Sequence, residues 1–217
     1  MDRELAEALP ERLAFPSNLL VVRDDALGAD FAEHVAEPYL VVASLPYHVA
    51  SPILFKLLTE PPRPVRIVAM VQEEVAKRIV GRPGDLTYLG AATSALADAR
   101  LVMRVAPGSF FPVPKVRSAV VRLDLRSSPV VPLGDVPAFL AFLRSGFTQP
   151  RKQLHNSLAQ ALGSSAEAMG RVAAAVGIDS RRRPGTLGLE EWLALYRAVT
   201  SGLATPSPPD EPGEPSH

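Results

Sequence analysis

A change in sequence pattern near residue 127 places the strongest limit on what this chain can fold into. Before it, apolar runs rich in β-branched residues alternate with segments of helical spacing, and after it only helical segments follow. Alternating strands and helices form layers of helices packed on a sheet. We therefore predict an α/β domain over residues 1–127, a small all-α domain over residues 128–202, and a disordered, proline-rich tail over residues 203–217.

Short local signals predict the individual elements. Pro10 is expected to stop a first helix over residues 2–9, and Ser51 with Pro52 is a favourable start for a helix over residues 53–58. Gly81 and the residues after it should end a helix that begins at Glu73, and a further helix is predicted at 90–99. Strands are predicted at 19–22, 40–43, 65–71, 101–105 and 118–125. Helices are predicted in the second part at 136–146, 151–162, 166–176 and 189–201.

The composition excludes several classes of protein. The chain has no cysteine, which excludes a disulfide scaffold, thiolate metal sites, iron–sulfur clusters and a cysteine nucleophile. The histidines have no metal-ligand spacing, so we expect no metal; they are His34, His48, His155 and His217. No apolar run approaches the ~18 residues of a membrane span, and the N-terminus has no apolar signal core. We therefore expect a cytoplasmic protein with no membrane partner.

The formal net charge of zero conceals an uneven distribution of charge. Residues 1–40 contain nine acidic against three basic residues, whereas residues 100–160 contain nine basic against two acidic ones. A basic half on a neutral protein is a candidate surface for a polyanion such as nucleic acid, although scattered solvated charges would give the same count.

The first motif with chemical content is Ser44-Leu45-Pro46-Tyr47, which follows directly on the strand predicted at 40–43. Open α/β folds place their ligands at the carboxyl ends of strands. A side-chain oxygen at the first position and a backbone carbonyl beside the proline can together accept hydrogen bonds from an exocyclic amino group, and the fixed φ of proline helps to aim the carbonyl. The aromatic ring can then stack on a base that has been extruded from its helix. An ordinary strand-to-helix turn with a buried tyrosine is the alternative.

Four stretches, in this order, resemble the ribosomal RNA adenine dimethyltransferase family. They lie at residues 41–58, 70–90, 110–125 and 146–158, and the resemblance extends over about residues 1–200. Its most specific parts are FFPVPKVRS at 110–118 and QEEVAKR at 72–78. The chain is most similar to the branch that dimethylates two adjacent adenosines near the 3′ end of 16S rRNA and whose loss gives kasugamycin resistance. The erythromycin-resistance methyltransferases are more distant relatives.

The resemblance implies a Rossmann-like methyltransferase core with a helical C-terminal domain, S-adenosyl-L-methionine as the methyl donor, and the immature small ribosomal subunit as the partner. It implies that a complete protein is monomeric. By motif matching, Ser44, Leu45, Pro46, Tyr47 and Phe110 would form the catalytic site around the target base. The implied cofactor contacts are Asp25, Ala26 and Ser44, and the implied RNA contacts are Lys115, Arg151, Lys152 and Arg183. Without the resemblance, Asp25 is interpreted as a turn aspartate and Phe110 as a core aromatic. The run Arg181 to Arg183 is either a solvated turn or a phosphate clamp.

The chain also departs from the family pattern. Ser44 replaces an asparagine, which leaves one shorter oxygen as the hydrogen-bond acceptor, and the segment at 88–90 differs from a Tyr-Gly pattern. The chain has fourteen glycines, and no two of them form the G-x-G that a donor-binding loop uses. We therefore expect several dozen residues upstream of Met1, including the first strands of the sheet. Without them, the strands at 19–22 and 40–43 should lack their shared neighbour, the chain alone should be poorly stable, and cofactor binding should be weak or absent.

Three functions are compatible with the sequence. The first is an S-adenosylmethionine-dependent rRNA adenine-N6 dimethyltransferase. The second is a non-catalytic RNA-binding or ribosome-assembly protein that has lost cofactor binding, which the glycine pattern and Ser44 favour and which Pro46, Tyr47 and Phe110 oppose. The third is a DNA adenine methyltransferase, which would share the logic of the Ser-Leu-Pro-Tyr turn but not the segment at 110–118.

Overall fold

A single four-stranded mixed sheet organises the first part of the protein. The structure is a computed structural model and describes residues 3–14, 17–82 and 84–203. The strand order is β1-β2-β4-β3; β1 runs parallel to β2, and β4 runs antiparallel to both β2 and β3. The bounds are β1 Leu40–Ser44, β2 Arg66–Gln72, β3 Ala97–Val105 and β4 Ser118–Leu125.

Helices connect the strands and make up the second part. Those in the first part are α1 Arg3–Arg12, α2 Ala50–Thr59, α3 Glu73–Val80 and α4 Tyr88–Leu96. Those in the second part are α5 Val136–Phe147, α6 Leu154–Leu162, α7 Ala166–Ala175 and α8 Leu189–Ala198. Short 3₁₀ turns occupy Phe31–Glu33, Pro107–Ser109, Leu133–Asp135 and Pro184–Thr186, and a π-helical turn at Val199–Leu203 follows α8. No helix within the described ranges is long and apolar enough to cross a membrane.

The hydrophobic core runs from the sheet into the helices without interruption. The central strands β2 and β4 bury alternate side chains completely, as the two-residue period of a strand requires. In the helical part, the Trp192 ring lies 5.3 Å from the Phe147 ring and 6.0 Å from the Phe142 ring, measured between centroids. Gly146 on α5 makes this packing possible, because a Cβ atom at Gly146 would lie 2.2 Å from Trp192 Cη2.

Most of the predicted elements are confirmed. The bounds of α3 and β4 agree with the prediction, and those of β1, β2 and the four later helices differ from it by at most three residues at either end. The predicted helix at 90–99 is partly wrong, because α4 ends at Leu96 and β3 begins at Ala97. Ala97 and Ala99 have helical propensity, but both are paired with β4, opposite Leu125 and Leu123. Tertiary pairing therefore overrides local propensity here.

Three local predictions are wrong. Residues 19–22 are not a strand; they are irregular, and the Leu20 side chain is 73% exposed. Pro10 lies inside α1, which continues to Arg12. The helix does not end at Pro10, because a proline near the end of a helix removes only one backbone hydrogen bond. Helix α2 begins at Ala50 with Val49 as its N-cap, so Ser51 is not the cap.

The outer edge of β1 has no strand partner among the described residues. Val42, at the centre of β1, is 84% exposed, and Leu40 is also exposed. The domain boundaries at 127 and 202 stay a prediction, and all of the predicted tail except Leu203 lies outside the described residues.

Candidate active site

The strand ends that carry the predicted catalytic residues meet at one edge of the sheet. Ser44, the last residue of β1, is paired with Met70 of β2, and the Leu45 amide donates to the Met70 carbonyl at 3.1 Å. The carboxyl ends of β1, β2 and β3 and the start of β4 therefore lie at this edge. The turn from Ser44 to Tyr47 leaves the sheet there, where open α/β folds place their ligands.

A hydrogen bond across the sheet fixes the orientation of Tyr47. The Tyr47 hydroxyl lies 2.7 Å from the Ser118 hydroxyl, and Ser118 is completely buried at the start of β4. Leaving a buried hydroxyl without a partner costs on the order of 1–3 kcal/mol, so this pair holds the half-buried tyrosine ring in place. Sequence reasoning missed Ser118, although it is the last residue of the FFPVPKVRS segment.

Phe110 lies on the loop that leads into Ser118 and thus at the same edge of the sheet. Its side chain is half-buried, and its amide donates to the Pro107 carbonyl at 3.1 Å, which closes a 3₁₀ turn. Among the described residues, Phe110 makes no ring contact with Tyr47. The structure therefore brings the loop of Phe110 to the tyrosine turn without stacking the two rings on each other.

The loop of Asp25 and Ala26 is attached to α2, the helix that follows the tyrosine turn. The Asp25 carboxylate accepts a hydrogen bond from the Leu27 amide at 3.1 Å, so one of its oxygens has the role of a turn aspartate. Its other oxygen has no partner among the described residues. Lys56 Nζ on α2 donates to the carbonyls of Leu27 at 2.8 Å and Ala29 at 2.6 Å. Sequence reasoning missed Lys56, the one charged residue of α2.

The three consecutive arginines at 181–183 have different environments. Arg181 pairs with Asp179, and Arg182 pairs with Glu191, whose pKa is lowered mainly by its hydrogen bond to Arg182. The Arg183 side chain is exposed and has no hydrogen bond or ion pair among the described residues. Only this third arginine is therefore available to an external anion.

Arg183 lines a cavity of about 430 Å³ together with Arg78 of α3. The cavity lies where the loop before α4 meets the turn Pro184–Thr186, and the Leu86 amide joins the two by donating to the Gly185 carbonyl at 2.7 Å. The Arg78 side chain is exposed and unpaired within the described part of the chain. Sequence reasoning missed Arg78 as a separate residue, although it belongs to QEEVAKR.

Two more cations without a side-chain partner in the described structure lie next to this cavity. Arg151 and Lys152 are exposed on the loop between α5 and α6 and line a cleft of about 270 Å³. Pro150 belongs to the walls of both the cleft and the cavity, so the two are adjacent. Lys115 is exposed and unpaired in the described structure, but it lies on the separate loop between β3 and β4.

Glu73 contributes negative charge at the first turn of α3. Its carboxylate bonds to Lys77 Nζ and Arg104 Nε, both at 3.1 Å, and these bonds, that of Lys77 first, lower the pKa of Glu73. Lys77 and Arg104 are thus engaged by an ionised carboxylate, whereas Arg78 beside them is not.

The described residues fit S-adenosylmethionine in part. The carboxylate oxygen of Asp25 that has no partner among the described residues can accept a hydrogen bond from an adenine amino group. Ser44 is the last residue of β1, directly before the rest of the tyrosine turn. No G-x-G occurs in the chain. Within the described ranges, no group of three or more histidine, aspartate or glutamate side chains could hold a metal ion.

A mixed sheet with helices around it, ending in a Ser-Leu-Pro-Tyr turn at its carboxyl edge, defines the class of Rossmann-like methyltransferases. The chain belongs to the ribosomal RNA adenine dimethylase family, whose model matches residues 1–195. A ribosomal RNA small subunit methyltransferase A from Moorella thermoacetica is 38% identical, over 92% of this chain and 73% of that protein. One of the same name from Bacillus mycoides is 39% identical, over 92% and 72%.

Solved structures agree with this assignment. The crystal structure of the 23S rRNA methyltransferase ErmE has a TM-score of 0.69 and 25% identity, and the match covers 92% of this chain and 79% of that chain. A dimethyladenosine transferase from Plasmodium falciparum has a TM-score of 0.77 at 22% identity, covering 92% and 80%, and supports the fold alone. The predicted fold class is confirmed. The roles of the individual site residues stay predictions.

Proposed function

We propose that this protein transfers methyl groups from S-adenosylmethionine to N6 of two adjacent adenosines near the 3′ end of 16S rRNA, in the immature small ribosomal subunit. Membership of the dimethylase family makes the chain an rRNA adenine methyltransferase. The finer statements on donor, target bases and subunit rest on the resemblance of the site segments. We expect the protein to act as a monomer in the cytoplasm.

The chemistry to be catalysed is an attack by a weak nucleophile. The N6 lone pair of adenine is delocalised into the ring, so the amino group must be turned until the lone pair points at the methyl carbon. In our proposal, Ser44 Oγ and the Leu45 carbonyl accept the two N6 hydrogens, and Pro46 limits the freedom of that carbonyl. Tyr47 and Phe110 stack on the two faces of the extruded base. S-adenosylmethionine, held by Asp25, Ala26 and Ser44, supplies the electrophilic methyl group.

RNA binding in this proposal depends on the unpaired cations. Arg78 and Arg183 line the cavity, and Arg151 and Lys152 line the adjacent cleft. Lys115 adds positive charge on the loop that carries Phe110. Binding through phosphate contacts releases counterions from the RNA, so a higher salt concentration weakens it. We expect the affinity for rRNA to fall with rising salt, and to fall less steeply when Arg151 and Lys152 are both replaced by alanine.

One observation carries the proposal: the turn from Ser44 to Tyr47 is tied to β2 and, through Tyr47, to buried Ser118. The test is transfer of a labelled methyl group to immature small subunits by the wild type and by Tyr47→Ala. We expect the variant to lose activity by a factor of about 10² or more, since a stacking partner of the target base is gone. Tyr39→Ala is the matched control, because the Tyr39 hydroxyl donates to the Pro62 carbonyl, away from the turn.

Variants of Ser44 test whether its side-chain oxygen accepts a hydrogen bond from the target amino group. Ser44→Ala should reduce methyl transfer by about 10²–10³, because it removes a hydrogen bond that is strongest in the transition state. Ser44→Asn restores the family residue and should keep or raise the activity. RNA binding by the wild type without methyl transfer would instead support the non-catalytic alternative. A preference for duplex DNA over rRNA in competition would support a DNA methyltransferase.

A further inference from the structure

Phe111 is the most exposed large apolar side chain in the described parts of the chain. It is fully exposed, whereas its neighbour Phe110 is half-buried. Val113 and Val116 on the same loop are exposed as well. An aromatic ring held entirely in water forgoes the free energy of burial, and apolar side chains grouped on one loop are typical of a binding surface.

The loop that carries Phe111 is anchored at both ends. At its start, the amides of Ser109 and Phe110 donate to the carbonyls of Ala106 and Pro107 at 3.0 and 3.1 Å. At its end, the Arg117 carbonyl accepts from the Glu73 amide at 2.9 Å, and Ser118 bonds to Tyr47. Pro112 and Pro114 fix two φ angles between these anchors. The exposed ring is therefore presented by a restrained loop at the edge of the sheet that carries the tyrosine turn.

The charge of the same loop indicates which partner the ring meets. Lys115 and Arg117 are exposed and have no side-chain partner among the described residues, and the segment at 106–117 contains no acidic residue. An aromatic ring beside two free cations suits single-stranded nucleic acid, since the ring stacks on a base while the cations meet the flanking phosphates.

We propose that Phe111 forms a second base-binding subsite, which stacks on the nucleotide next to the target adenosine while Lys115 and Arg117 contact its phosphates. This inference rests on the proposed function, because it places the subsite beside the base held by Tyr47 and Phe110. It adds a reason why two neighbouring adenosines serve as one substrate: while one base occupies the catalytic turn, the other has a platform of its own.

The test uses a short RNA hairpin with two adjacent adenosines in its loop, one of which is replaced by 2-aminopurine. The fluorescence of this base falls when it stacks, and two probes report the two positions separately. We expect Phe111→Ala to restore fluorescence at one position only and Tyr47→Ala to restore it at the other. Phe111→Ala should also weaken binding of the hairpin on the order of tenfold, the size of one lost base–aromatic stack.

Replacements at position 111 separate stacking from simple apolar contact. Phe111→Trp should retain both the quenching and the affinity, whereas Phe111→Leu should resemble Phe111→Ala. Val102→Ala is the matched control, because it removes an exposed apolar side chain from β3, outside this loop, and should change neither readout. Since the Phe111 ring touches no core residue, none of these variants should shift the melting temperature.

Each other outcome has a defined meaning. If Tyr47→Ala changes the fluorescence and Phe111→Ala does not, or if Phe111→Leu behaves as the wild type does, the subsite is overturned and the proposed function stands. If the wild type quenches neither probe and Arg151→Ala with Lys152→Ala leaves RNA binding unchanged, the proposed function is overturned, and the subsite with it.

Discussion

The surroundings of Trp192 and the surroundings of β1 represent opposite kinds of packing in one chain. Trp192 is completely buried among the rings of Phe142 and Phe147, and it lies so close to Gly146 that no side chain fits between them. Val42 of β1 is mostly exposed, and the largely exposed loop of Asp25 is held to α2 by hydrogen bonds from Lys56 as well as by the buried Ala29.

This difference predicts that different regions of the molecule determine its stability and its binding. The helical part, strands β2 and β4 and helices α2, α3 and α4 contain the buried apolar area that stabilises the fold. The exposed side chains of β1 and of the loop of Asp25 lie at the margin of this core. We therefore expect substitutions near Trp192 to unfold the protein, and substitutions near β1 and Asp25 to alter binding with little loss of stability.

Gly146→Ala should give the largest loss of stability. The added Cβ atom would overlap the Trp192 ring, and an overpacked core costs on the order of 3 kcal/mol in such a case. Urea denaturation measures the change in the free energy of unfolding. Gly134→Ala is the matched control, since a Cβ atom there meets nothing within 4 Å. Equal stability of the two variants would contradict the close packing around Trp192.

A matched pair of valine substitutions tests the comparison inside the sheet. Val121→Ala in β4 removes completely buried methyl groups and should cost about 2 kcal/mol of unfolding free energy. Val42→Ala in β1 removes exposed methyl groups and should stay within about 0.5 kcal/mol of the wild type. A large loss for Val42→Ala would mean that something covers β1 in solution.

Lys56→Met should loosen the loop of Asp25 and Ala26 without unfolding the protein. The carbonyls of Leu27 and Ala29 lose their donor and turn to water, so amide hydrogen exchange at Gly28 and Ala29 should become faster. Where binding of S-adenosylmethionine is measurable by calorimetry, its affinity should fall by about tenfold, which corresponds to ~1.4 kcal/mol. Lys77→Met, which removes an exposed ion pair on α3, should leave the exchange at Gly28 and Ala29 unchanged.

The Arg182–Glu191 pair should add a small, pH-dependent stabilisation to the helical part. The hydrogen bond from Arg182 lowers the pKa of Glu191 in the folded protein, so its stabilising effect is present above the ordinary glutamate pKa and is lost as the pH falls through the lowered value. Glu191→Gln should destabilise the protein by about 1 kcal/mol at pH 7, a modest effect because the pair is partly exposed to solvent. The loss should be smaller near pH 3, because protonation of Glu191 weakens the pair in the wild type as well.

The control for this prediction is Glu190→Gln, which removes a neighbouring exposed carboxylate without a hydrogen bond or ion pair in the described structure. Its unfolding free energy, measured in urea at both pH values, should follow the wild type. If Glu191→Gln and the wild type lost stability in parallel between pH 7 and pH 3, the contribution assigned to the pair would be wrong.

The sequence by itself determined the elements whose signals are local. Helix α3 was predictable to the residue, because a helical spacing ended by Gly81 needs no distant partner. The bounds of β4 also agree with its β-branched run, although this strand forms only because β2 and β3 pair with it. The family resemblance and the residues of the tyrosine turn were also visible in the chain. The segment at 19–22 has an equally good strand pattern, yet it forms no strand, because a strand exists only where another strand is present to pair with it.

Only the tertiary structure decided which distant residues act together. Ser118 lies 71 positions from Tyr47, and Lys56 lies 27 positions from Ala29, so neither hydrogen bond leaves a pattern in the sequence. The sequence likewise does not show that Arg78 and Arg183 line one cavity. Nor does it show that Arg182 pairs with Glu191, while Arg183 has no side-chain partner among the described residues. Sequence pattern reports how a segment satisfies its own backbone and apolar face, whereas a site is made by the packing of segments against one another.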